Sequence, residues 1–377
     1  MRILVLIHEY PPVGGGGGRV AQDLCEGLAR RGHSLKVLTA HLDGLAELEE
    51  KENLSIQRLR SGRKESFRAG LGAMMGYVVA GIWQGLRVIR EWKPDVIHVH
   101  FAVPAGAAAF VLNLLTGTPY VLTAHLGDVP GGVPEKTGKW FKLIFPFTPP
   151  IWKRAAAVVA VSQFTRQLAL NSYPVAVDVI PNGVSLKDVD PGEIKLNQPA
   201  RIIFVGRFMP QKNPVGVVRI LEQIKDLPWQ ANMIGDGPLR PAVEEAIQSA
   251  GLSERIHLTG WITPEEVIEH YRHSDIMLLP SLSEGLPVVG VQGMAMGLSL
   301  VLSRAGGNID LVQPGENGAL LDVGAEDSFA DTLRASLNNP ELLLSQRLKS
   351  RQMAALFDLD GIISDYETLF KRVAQEK

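Results

Sequence analysis

Short apolar runs alternate with amphipathic stretches in the first half of the chain. Residues 3–7 are apolar at every position, which is typical of a parallel strand buried on both faces. The amphipathic residues 19–31 predict a helix, and residues 35–39 predict the next strand. Further strands are predicted at 96–99, 120–123, 157–161 and 177–180. This alternation predicts a parallel, doubly wound α/β sheet with right-handed crossovers.

The same alternation starts again after a pause. Residues 186–199 are polar, contain two prolines and lack an apolar period, which is typical of an interdomain linker. We therefore predict two Rossmann-like domains, at residues 1–185 and 200–355, followed by a C-terminal helix at 356–377. The strands predicted in the second series are 202–206, 230–235, 255–258, 276–279 and 299–302, and the helices are 213–225, 239–250, 264–272 and 287–296.

One uncharged segment, residues 69–88, approaches the length of a membrane span. Four of its five glycines, Gly72, Gly76, Gly81 and Gly85, also have the spacing of small residues in packed membrane helices. The alternatives are a membrane span and a buried helix of the α/β domain. Gln84, the many small residues and the position between predicted strands favour the buried helix.

Composition excludes several classes of protein. Apolar residues make up 46% of the 377 residues, enough for two cores, and charged residues make up 21%, so the chain is not disordered. A net charge of −2 gives no general attraction to nucleic acid or to an anionic membrane. The single cysteine, Cys25, excludes an internal disulfide and a thiolate zinc cluster. The N-terminus reads as a strand and not as a signal peptide, so we expect a reducing, cytoplasmic location.

Five consecutive glycines, residues 14–18, separate the first predicted strand from the first predicted helix. Glycine lets backbone N–H groups approach an anion, and the helix N-terminus adds about half a positive charge. The run does not have the spacing of a dinucleotide-binding motif, and no Lys-Ser/Thr pair follows as in a P-loop. The alternative is a flexible surface loop. Its place at the carboxyl edge of a strand favours contact with a ligand.

Two cations follow the first strand of the second series. Gly206 is succeeded by Arg207, and Lys212 comes five residues later. Both therefore lie at the carboxyl edge of a parallel sheet, where ligands bind. Arginine can grip a diphosphate with two hydrogen bonds and lysine can act as a point charge. A pair of solvated surface cations is an equal alternative on these residues alone.

A carboxylate on a glycine-bounded loop follows the strand predicted at 276–279. Glu284 is succeeded by Gly285, Leu286 and Pro287. A carboxylate at this edge is a good acceptor for sugar hydroxyls. The alternative is an acid that stabilises the N-terminus of the next helix. The glycine pair 306–307 lies at the matching edge of the next strand and permits close backbone approach.

Histidines end two predicted strands of the first domain. His125 lies at a carboxyl edge, where a ligand role and a structural role are both open. His98 and His100 share one face of a strand, but no third metal ligand is evident, which disfavours a metal site. Two Asp-x-Asp pairs, 188/190 and 358/360, lie in the linker and the C-terminal tail and are assigned to solvated surface.

Together these motifs resemble the retaining GT-B glycosyltransferase family 4, also called glycosyltransferase group 1. Each motif is weak alone, whereas their order and spacing over essentially the whole chain are specific. The motifs are 10–12 with the glycine run, 95–100 (DVIHVH), His125, 179–184 (VIPNGV), 205–207 with Lys212, 235–239 (GDGPL), 274–281 (SDIMLLPS), 283–287 (SEGLP) and 315–318 (GENG).

The resemblance implies a two-domain GT-B enzyme with a cleft between an acceptor domain and a nucleotide-sugar donor domain. It implies that the C-terminal helix crosses back to the first domain. Arg207 and Lys212 would neutralise the leaving diphosphate without a metal or other cofactor, Glu284 would hold sugar hydroxyls, and His125 would contact the sugar. The implied donor-binding residues are Gly15, Gly16, Gly17, Gly206, Gly235, Gly285, Leu286, Pro287 and Gln292.

Four positions depart from the family pattern. The family has a second glutamate eight positions after the first, and here that position is Gln292, which has lost one acceptor oxygen and the charge. Ser185 stands where the family often has an acidic residue, and Asp310 stands where it commonly has Glu. The family's His-Gly pair is interrupted here by Leu126, between His125 and Gly127. The alternative function is therefore a catalytically weak nucleotide-sugar-binding partner in glycan assembly. An epimerase on the same fold fits the motifs less well.

A glycan or lipid-linked acceptor would suit a transferase of this kind, and two stretches of the first domain favour peripheral contact with the inner face of a membrane. One is the basic run Arg58, Arg60, Arg63, Lys64 and Arg68. The other is 136–154, where lysines alternate with Trp140, Phe141, Phe145, Phe147 and Trp152. The alternative is ordinary loops and helices that line the cleft.

Overall fold

The computed structural model describes residues 1–66, 69–133 and 144–376. The chain divides into two compact units. Unit 1 comprises Met1–Asn182 together with Leu359–Lys377, and unit 2 comprises Gly183–Asp358. Each unit is built on a largely parallel sheet covered by helices, so the predicted fold class of two doubly wound α/β domains is confirmed.

The described strands form one sheet in each unit. In unit 1 the order is β3-β4-β2-β1-β5-β6-β7-β8, and in unit 2 it is β11-β10-β9-β12-β13-β14. In chain order the strands are β1 (Arg2–Leu6), β2 (Ser34–Ala40), β3 (Leu48–Lys51), β4 (Leu54–Leu59), β5 (Val96–His100), β6 (Tyr120–Ala124), β7 (Ala157–Ala160), β8 (Asp178–Val179), β9 (Ala200–Val205), β10 (Trp229–Ile234), β11 (Ile256–Gly260), β12 (Ile276–Leu279), β13 (Ser299–Ser303) and β14 (Gly318–Leu321).

The described α-helices cover both faces of each sheet. In chain order they are α1 (Gly16–Arg30), α2 (Leu71–Trp92), α3 (Ala107–Thr116), α4 (Pro149–Arg154), α5 (Gln163–Leu170), α6 (Pro214–Glu222), α7 (Arg240–Ser249), α8 (Pro264–Arg272), α9 (Val288–Ala295), α10 (Glu326–Leu337), α11 (Pro340–Met353) and α12 (Leu359–Gln375).

The predicted alternation of strands and helices does not include the hairpin at the edge of the unit 1 sheet. Strands β3 and β4 pair antiparallel as a hairpin, and β4 then continues the parallel sheet beside β2. The sequence of β3, LEEK, has no buried residue and therefore lacks an apolar signal. A charged, short edge strand of this kind resists pairing with other chains.

Helices α1 and α12 pack together on one face of unit 1. Gly27 permits this contact, because a Cβ at that position would lie 2.1 Å from Ile363 Cδ1. Arg31 donates hydrogen bonds to Asp360 O at 2.7 Å and to Ser364 Oγ at 2.9 Å. Buried side chains of α12 such as Phe370 thus complete the core of unit 1.

Residues 186–199, expected to form a linker, pack onto unit 2. Asp275 is fully buried and accepts hydrogen bonds from the backbone N–H groups of Asn197 and Arg201. Arg347 pairs with Asp275 at 2.5 Å and also donates to Lys195 O. A buried charge pair with this many hydrogen bonds fixes the polar segment on the core.

The uncharged segment 69–88 forms most of α2, and only one face of that helix is buried. Tyr77 and Gly85 are buried, and Tyr77 Oη donates to Leu38 O at 2.8 Å. Val79 and Trp83 lie on the opposite face and are exposed. Within the described residues, no helix combines the length and the apolar character that a membrane span requires. The prediction of a buried helix is therefore wrong for the outer face.

The basic run predicted to face a membrane divides into buried and exposed members. Arg60 and Lys64 are exposed, whereas Arg58 and Arg63 are internal. The side chains of Arg58 and Arg63 are each 1% exposed. Arg58 pairs with Glu49 at 2.6 Å, and Arg63 donates to His8 O at 3.1 Å. The guanidinium groups of Arg58 and Arg63 hold the loops of unit 1 and are unavailable to lipid, which corrects the interpretation for these two residues.

The aromatic residues of 136–154 divide in the same way. Trp152 is fully buried and stacks on Tyr173, whereas Phe147 is 74% exposed. Arg68, Trp140 and Phe141 lie outside the described residues.

Candidate functional site

The carboxyl edge of the unit 2 sheet brings together two of the predicted site residues. Strands β9 and β12 are neighbours, so the segments that follow them, 206–213 and 280–287, lie side by side. Lys212 Nζ is 2.5 Å from Glu284 Oε1. The lysine side chain is 18% exposed and the glutamate side chain 5% exposed. The pair can therefore be reached from solvent through the lysine.

Hydrogen bonds between the two segments fix this pair. The backbone N–H of Leu282 donates to Gln211 O at 2.8 Å, and Gln211 Nε2 donates to Ser283 O at 3.0 Å. Asn213 Nδ2 donates to Pro280 O at 3.3 Å. Because these bonds flank both partners, Lys212 and Glu284 are held by the backbone and not only by their mutual attraction.

Gly206, which precedes Arg207, lies beside Lys212, and a third segment packs against Gly206. A Cβ at Gly206 would lie 3.5 Å from the Lys212 side chain, and Arg207 is half-buried. Gly235, which follows β10, has φ +131°, and a Cβ there would lie 2.1 Å from Gly206 O. Only glycine fits this backbone conformation and this contact. The segment that carries Arg207 is thus braced from the side of β10.

The backbone of Glu284 is braced from the side of β13. The N–H of Gly307 donates to Glu284 O at 3.0 Å. A Cβ at Gly306, where φ is +56°, would lie 1.7 Å from Glu284 O, and one at Gly307 would lie 1.8 Å from Gly285 O. The glycine pair therefore serves close packing of the loop that carries Glu284.

The remaining predicted donor-binding residues line the start of α9. Leu286 and Pro287 are buried, and Pro287 immediately precedes the helix. Gln292 lies one helical turn further on and is half-buried. Within the described residues, its side-chain amide makes no hydrogen bond that would hold it in place. The amide is therefore free to bind another group.

In unit 1 the glycine run is part of a helix and not only a loop. Helix α1 begins at Gly16, three residues before the predicted start. Gly15 and Gly16 are exposed, the first turn carries no acidic residue, and Gly15 gives no side-chain cap. The helix dipole is thus uncompensated at this end and favours an anion.

Gly17 contacts the predicted site histidine. A Cβ at Gly17 would lie 2.7 Å from Phe101 Cζ and 3.4 Å from His125 Cε1. The rings of Phe101 and His125 stack with their centroids 4.3 Å apart. The structure therefore brings the glycine helix start and His125 together within one unit.

The His125 ring is held on two sides and is neutral. Its Nε2 lies 3.3 Å from His100 Nδ1, so one of the two rings donates to the other. Burial lowers the pKa of His125 to about 4 and lowers that of His100 well below its ordinary value. At neutral pH both rings are therefore uncharged hydrogen-bonding groups.

Sequence reasoning missed two residues that position His125. Phe101 has φ +72°, a left-handed conformation that costs a non-glycine residue about 1–3 kcal/mol. The Asp128 carboxylate accepts hydrogen bonds from Ala102 N and His125 N, both at 2.8 Å. Asp128 thus ties the ends of β5 and β6 together. The place of Asp128, four residues after β6, was a signal at the carboxyl edge of the sheet, whereas nothing in the sequence marks Phe101 for its positive φ.

Burial also affects Asp128 itself. It raises the pKa of this carboxyl to about 7, although the backbone hydrogen bonds act in the opposite direction. Part of the population is therefore protonated near neutral pH.

The candidate metal residues form no metal centre in the part of the chain that the structure describes. His98 and His100 share a strand face as expected, with ring centroids 4.3 Å apart, but His98 Nε2 bonds to Thr123 Oγ1 at 2.9 Å. Asp358 Oδ1 accepts the backbone N–H of Leu186 and so serves the fold of unit 2.

Two family models match consecutive parts of the chain. The model described as Glycosyltransferase Family 4 matches residues 14–188. The model described as Glycosyl transferases group 1 matches residues 188–353. The first match includes Gly17 and His125, and the second includes Arg207, Lys212 and Glu284.

Similar proteins extend over the same length. The chain is 27% identical over 373 residues to an uncharacterised glycosyltransferase of Methanocaldococcus jannaschii, which covers 98% of this chain and 99% of that protein. It is 26% identical over 268 residues to the UDP-Gal:alpha-D-GlcNAc-diphosphoundecaprenol alpha-1,3-galactosyltransferase of Escherichia coli, covering 66% and 67%.

Solved structures share the fold. Sucrose-phosphate synthase from Thermosynechococcus elongatus has a TM-score of 0.87 at 20% identity, with 100% of both chains covered. HepE of Anabaena in complex with UDP and glucose has a TM-score of 0.77 at 17% identity, with 99% of this chain and 100% of that chain covered.

Proposed function

Because the chain belongs to glycosyltransferase family 4 (glycosyl transferases group 1) of GT-B fold, we propose that it is a retaining enzyme which transfers a sugar from a nucleoside diphosphate sugar to a hydroxyl acceptor. The observation that carries the proposal is the Lys212–Glu284 pair at the carboxyl edge of unit 2. A cation for a diphosphate and a carboxylate for sugar hydroxyls lie side by side there, on backbone fixed from three neighbouring strands.

The proposed role of Arg207 and Lys212 is to stabilise the diphosphate as the glycosidic bond breaks. Negative charge on the leaving oxygen grows in the transition state, so cations placed in advance lower the barrier. Two protein cations at this position would supply the charge that a metal ion supplies elsewhere. We therefore propose that the reaction needs no metal.

The ion pair gives Glu284 a defined starting state. Before donor binds, Lys212 balances the buried carboxylate, whose side chain is 5% exposed. An arriving diphosphate would compete for Lys212, and sugar hydroxyls would replace the lost hydrogen bond to Glu284. Donor binding then exchanges one set of charge-assisted bonds for another, which limits the desolvation cost.

In unit 1 the proposed donor contacts are neutral. An uncharged His125 can bind a sugar hydroxyl, and the N–H groups at the start of α1 can bind anionic oxygen. The N-terminal helix charge needs no counter-ion from the side chains of its first turn, because that turn has no acid.

The acceptor that we propose is the hydroxyl of a glycan or of a lipid-linked sugar. The similar Escherichia coli enzyme is named for an acceptor carried on diphosphoundecaprenol. A nucleotide sugar is water-soluble and a lipid-linked acceptor is held in a membrane, so we propose that the protein works in the cytoplasm, at the inner face of a membrane.

The test is donor turnover in the presence of a chelator. Purified protein is incubated with UDP-, GDP- and ADP-sugars, and release of the nucleoside diphosphate is measured with and without candidate acceptors. Lys212→Met is expected to lower kcat/KM roughly 10²–10³-fold, because it removes a transition-state charge. Retention is checked by NMR of the anomeric proton of the product.

Lys225→Met is the matched control, since Lys225 is a 60% exposed lysine of the same unit. It is expected to leave kcat/KM unchanged. Turnover that survives the double change of Arg207 and Lys212, or that requires added metal, would contradict the proposal.

A further inference from the structure

Unit 1 exposes a set of large apolar side chains on neighbouring helices. Helices α2 and α3 pack side by side, since a Cβ at Gly85 would lie 2.5 Å from Leu112 Cδ1. The exposed fractions are Met75 56%, Val79 65%, Trp83 68%, Leu114 52% and Leu115 63%, and these five residues are called the apolar face below. The three on α2 are spaced by four residues and so form one stripe. Side chains this exposed contribute little burial of apolar area to the core of unit 1.

The two helices that carry the apolar face have one acidic residue between them. Residues 66–90 and 96–127 contain no acidic residue. Arg87 and Arg90 continue the stripe of α2 and are exposed, and Glu91 is the one acid on that helix, paired with Arg87 at 3.0 Å. An exposed apolar stripe that ends in arginines is typical of helices lying at a lipid interface.

Helix α4 adds a cationic rim beside α3. Lys153 and Arg154 are exposed, and they line a shallow depression together with Phe110, Asn113 and Pro150. Arg154 Nε donates to Asn113 Oδ1 at 2.5 Å, which holds the guanidinium at the depression. Phe147, 74% exposed, precedes α4. Apolar rings next to fixed cations suit an acyl chain below an anionic headgroup.

We propose that the apolar face and the cations Arg90, Lys153 and Arg154 bind the surface of a membrane that contains anionic phospholipid. The positive charge of Arg90, Lys153 and Arg154 favours this occupant, because phosphate headgroups supply anions and helices α2 and α3 carry only one acidic residue, Glu91. A tryptophan at the centre of the stripe is suited to the interface between headgroups and hydrocarbon. The inference deepens the proposed function, on which its biological use rests, by giving an enzyme of lipid-linked acceptors a way to reach them.

The test is flotation of the whole protein with vesicles of phosphatidylcholine and phosphatidylglycerol at low ionic strength. Wild-type protein is expected to float with these vesicles and to be released at high ionic strength or from phosphatidylcholine alone. The double variant Val79→Glu, Trp83→Glu is expected to lower vesicle partitioning by about tenfold or more. Lys153→Glu is expected to abolish the preference for phosphatidylglycerol.

Leu348→Glu is the matched control, because Leu348 is 53% exposed on a helix of unit 2. It is expected to float like the wild type. All variants lie outside the donor site, so nucleotide release from a soluble donor should be unchanged, and thermal unfolding reports that they fold. Loss of that release without loss of flotation would count against the proposed function alone.

Two results would overturn the membrane proposal. One is wild-type protein that stays with the soluble fraction at low ionic strength. The other is light scattering that shows a dimer in the absence of vesicles, abolished by the Val79→Glu, Trp83→Glu double variant, since a second copy would then cover the apolar face.

Discussion

Gln292 shows how one side chain can set the strength of donor binding. It lies half-buried on α9, one turn beyond the loop of Glu284, where the family pattern has a second glutamate. An amide offers one acceptor oxygen without charge, whereas a carboxylate offers two. A ribose diol that donates two hydrogen bonds would therefore be only partly satisfied here.

Gln292→Glu is expected to tighten the binding of a nucleoside diphosphate sugar roughly tenfold, the equivalent of one additional charge-assisted hydrogen bond. Isothermal titration calorimetry measures the change in Kd. The physical reason is that the new carboxylate can accept from both ribose hydroxyls at once.

Gln248→Glu is the control, because Gln248 is exposed on α7 of the same unit. An unchanged or weaker Kd for Gln292→Glu would show that this position does not face the ribose. If the wild type neither transfers nor hydrolyses any donor and Gln292→Glu does, the chain is a silent binding partner.

The sequence predicted which residues belong to the candidate site but not that Lys212 and Glu284 contact each other. Arg207, Lys212 and Glu284 were found because each follows an apolar strand. Their contact depends on β9 lying beside β12, and the alternation of strands and helices does not specify strand order. Phe101 was missed because a phenylalanine with positive φ has no sequence signature.

At the scale of elements, the start of α1 is fitted to the ring stack of unit 1. Gly17→Ala is expected to push Phe101 away from His125 and to lower kcat/KM roughly tenfold or more, since small misplacement of a contact group is costly. The helix gains up to about 1 kcal/mol from alanine, and the crowding costs about 1–3 kcal/mol. The net free energy of unfolding should fall by about 0–2 kcal/mol, measured by urea titration.

Gly361→Ala provides the comparison, because a Cβ at Gly361 in α12 meets nothing within 4 Å. This variant should gain about 0.5 kcal/mol in stability and keep full activity. Equal activity of the Gly17 and Gly361 variants would argue against a role for the ring stack.

Element prediction succeeded where burial was complete on both faces. Strands β5, β6 and β12 have every residue buried. β12 is a continuous apolar run, and β5 and β6 are apolar apart from His98, His100 and Thr123. Strand β14 is GALL, with alternating burial, and was too short to predict. Helix α2 was predicted to be buried all round, and this was wrong because its apolar residues occur on the exposed face as well as on the buried one.

At the scale of the whole molecule, buried histidines make unit 1 sensitive to acid. Burial lowers the pKa of His8 and His125 to about 4 and that of His98 to about 3, from an ordinary value of 6.5. The unfolded chain therefore binds more protons than the native one below pH 6.5, and stability falls as the pH falls towards 4. Asp128 acts oppositely, because its raised pKa of about 7 makes its contribution fall as pH rises. It is outnumbered.

His98→Gln is expected to reduce the pH dependence of the unfolding free energy by about one proton, which is about 1.4 kcal/mol per pH unit. Urea titrations at pH 7, 6 and 5 (about one unit apart) measure the slope. The slope is informative even if the variant is less stable at every pH. His273→Gln, at an exposed position on unit 2, should leave the slope unchanged. A steeper or unaltered slope for His98→Gln would refute the assignment.

The last helix has a consequence for synthesis. Tyr366 Oη lies 3.0 Å from Thr123 Oγ1, so α12 reaches a strand translated more than two hundred residues earlier. Residues 183–358 must leave the ribosome in between, which takes roughly 9–35 s at ordinary elongation rates. During that interval the apolar side chains of α1 that α12 later covers are exposed to solvent, whereas all of unit 2 has been synthesised and can fold. Unit 1 is thus the first to be synthesised and the last to complete its fold, and a chaperone could bind it during this interval.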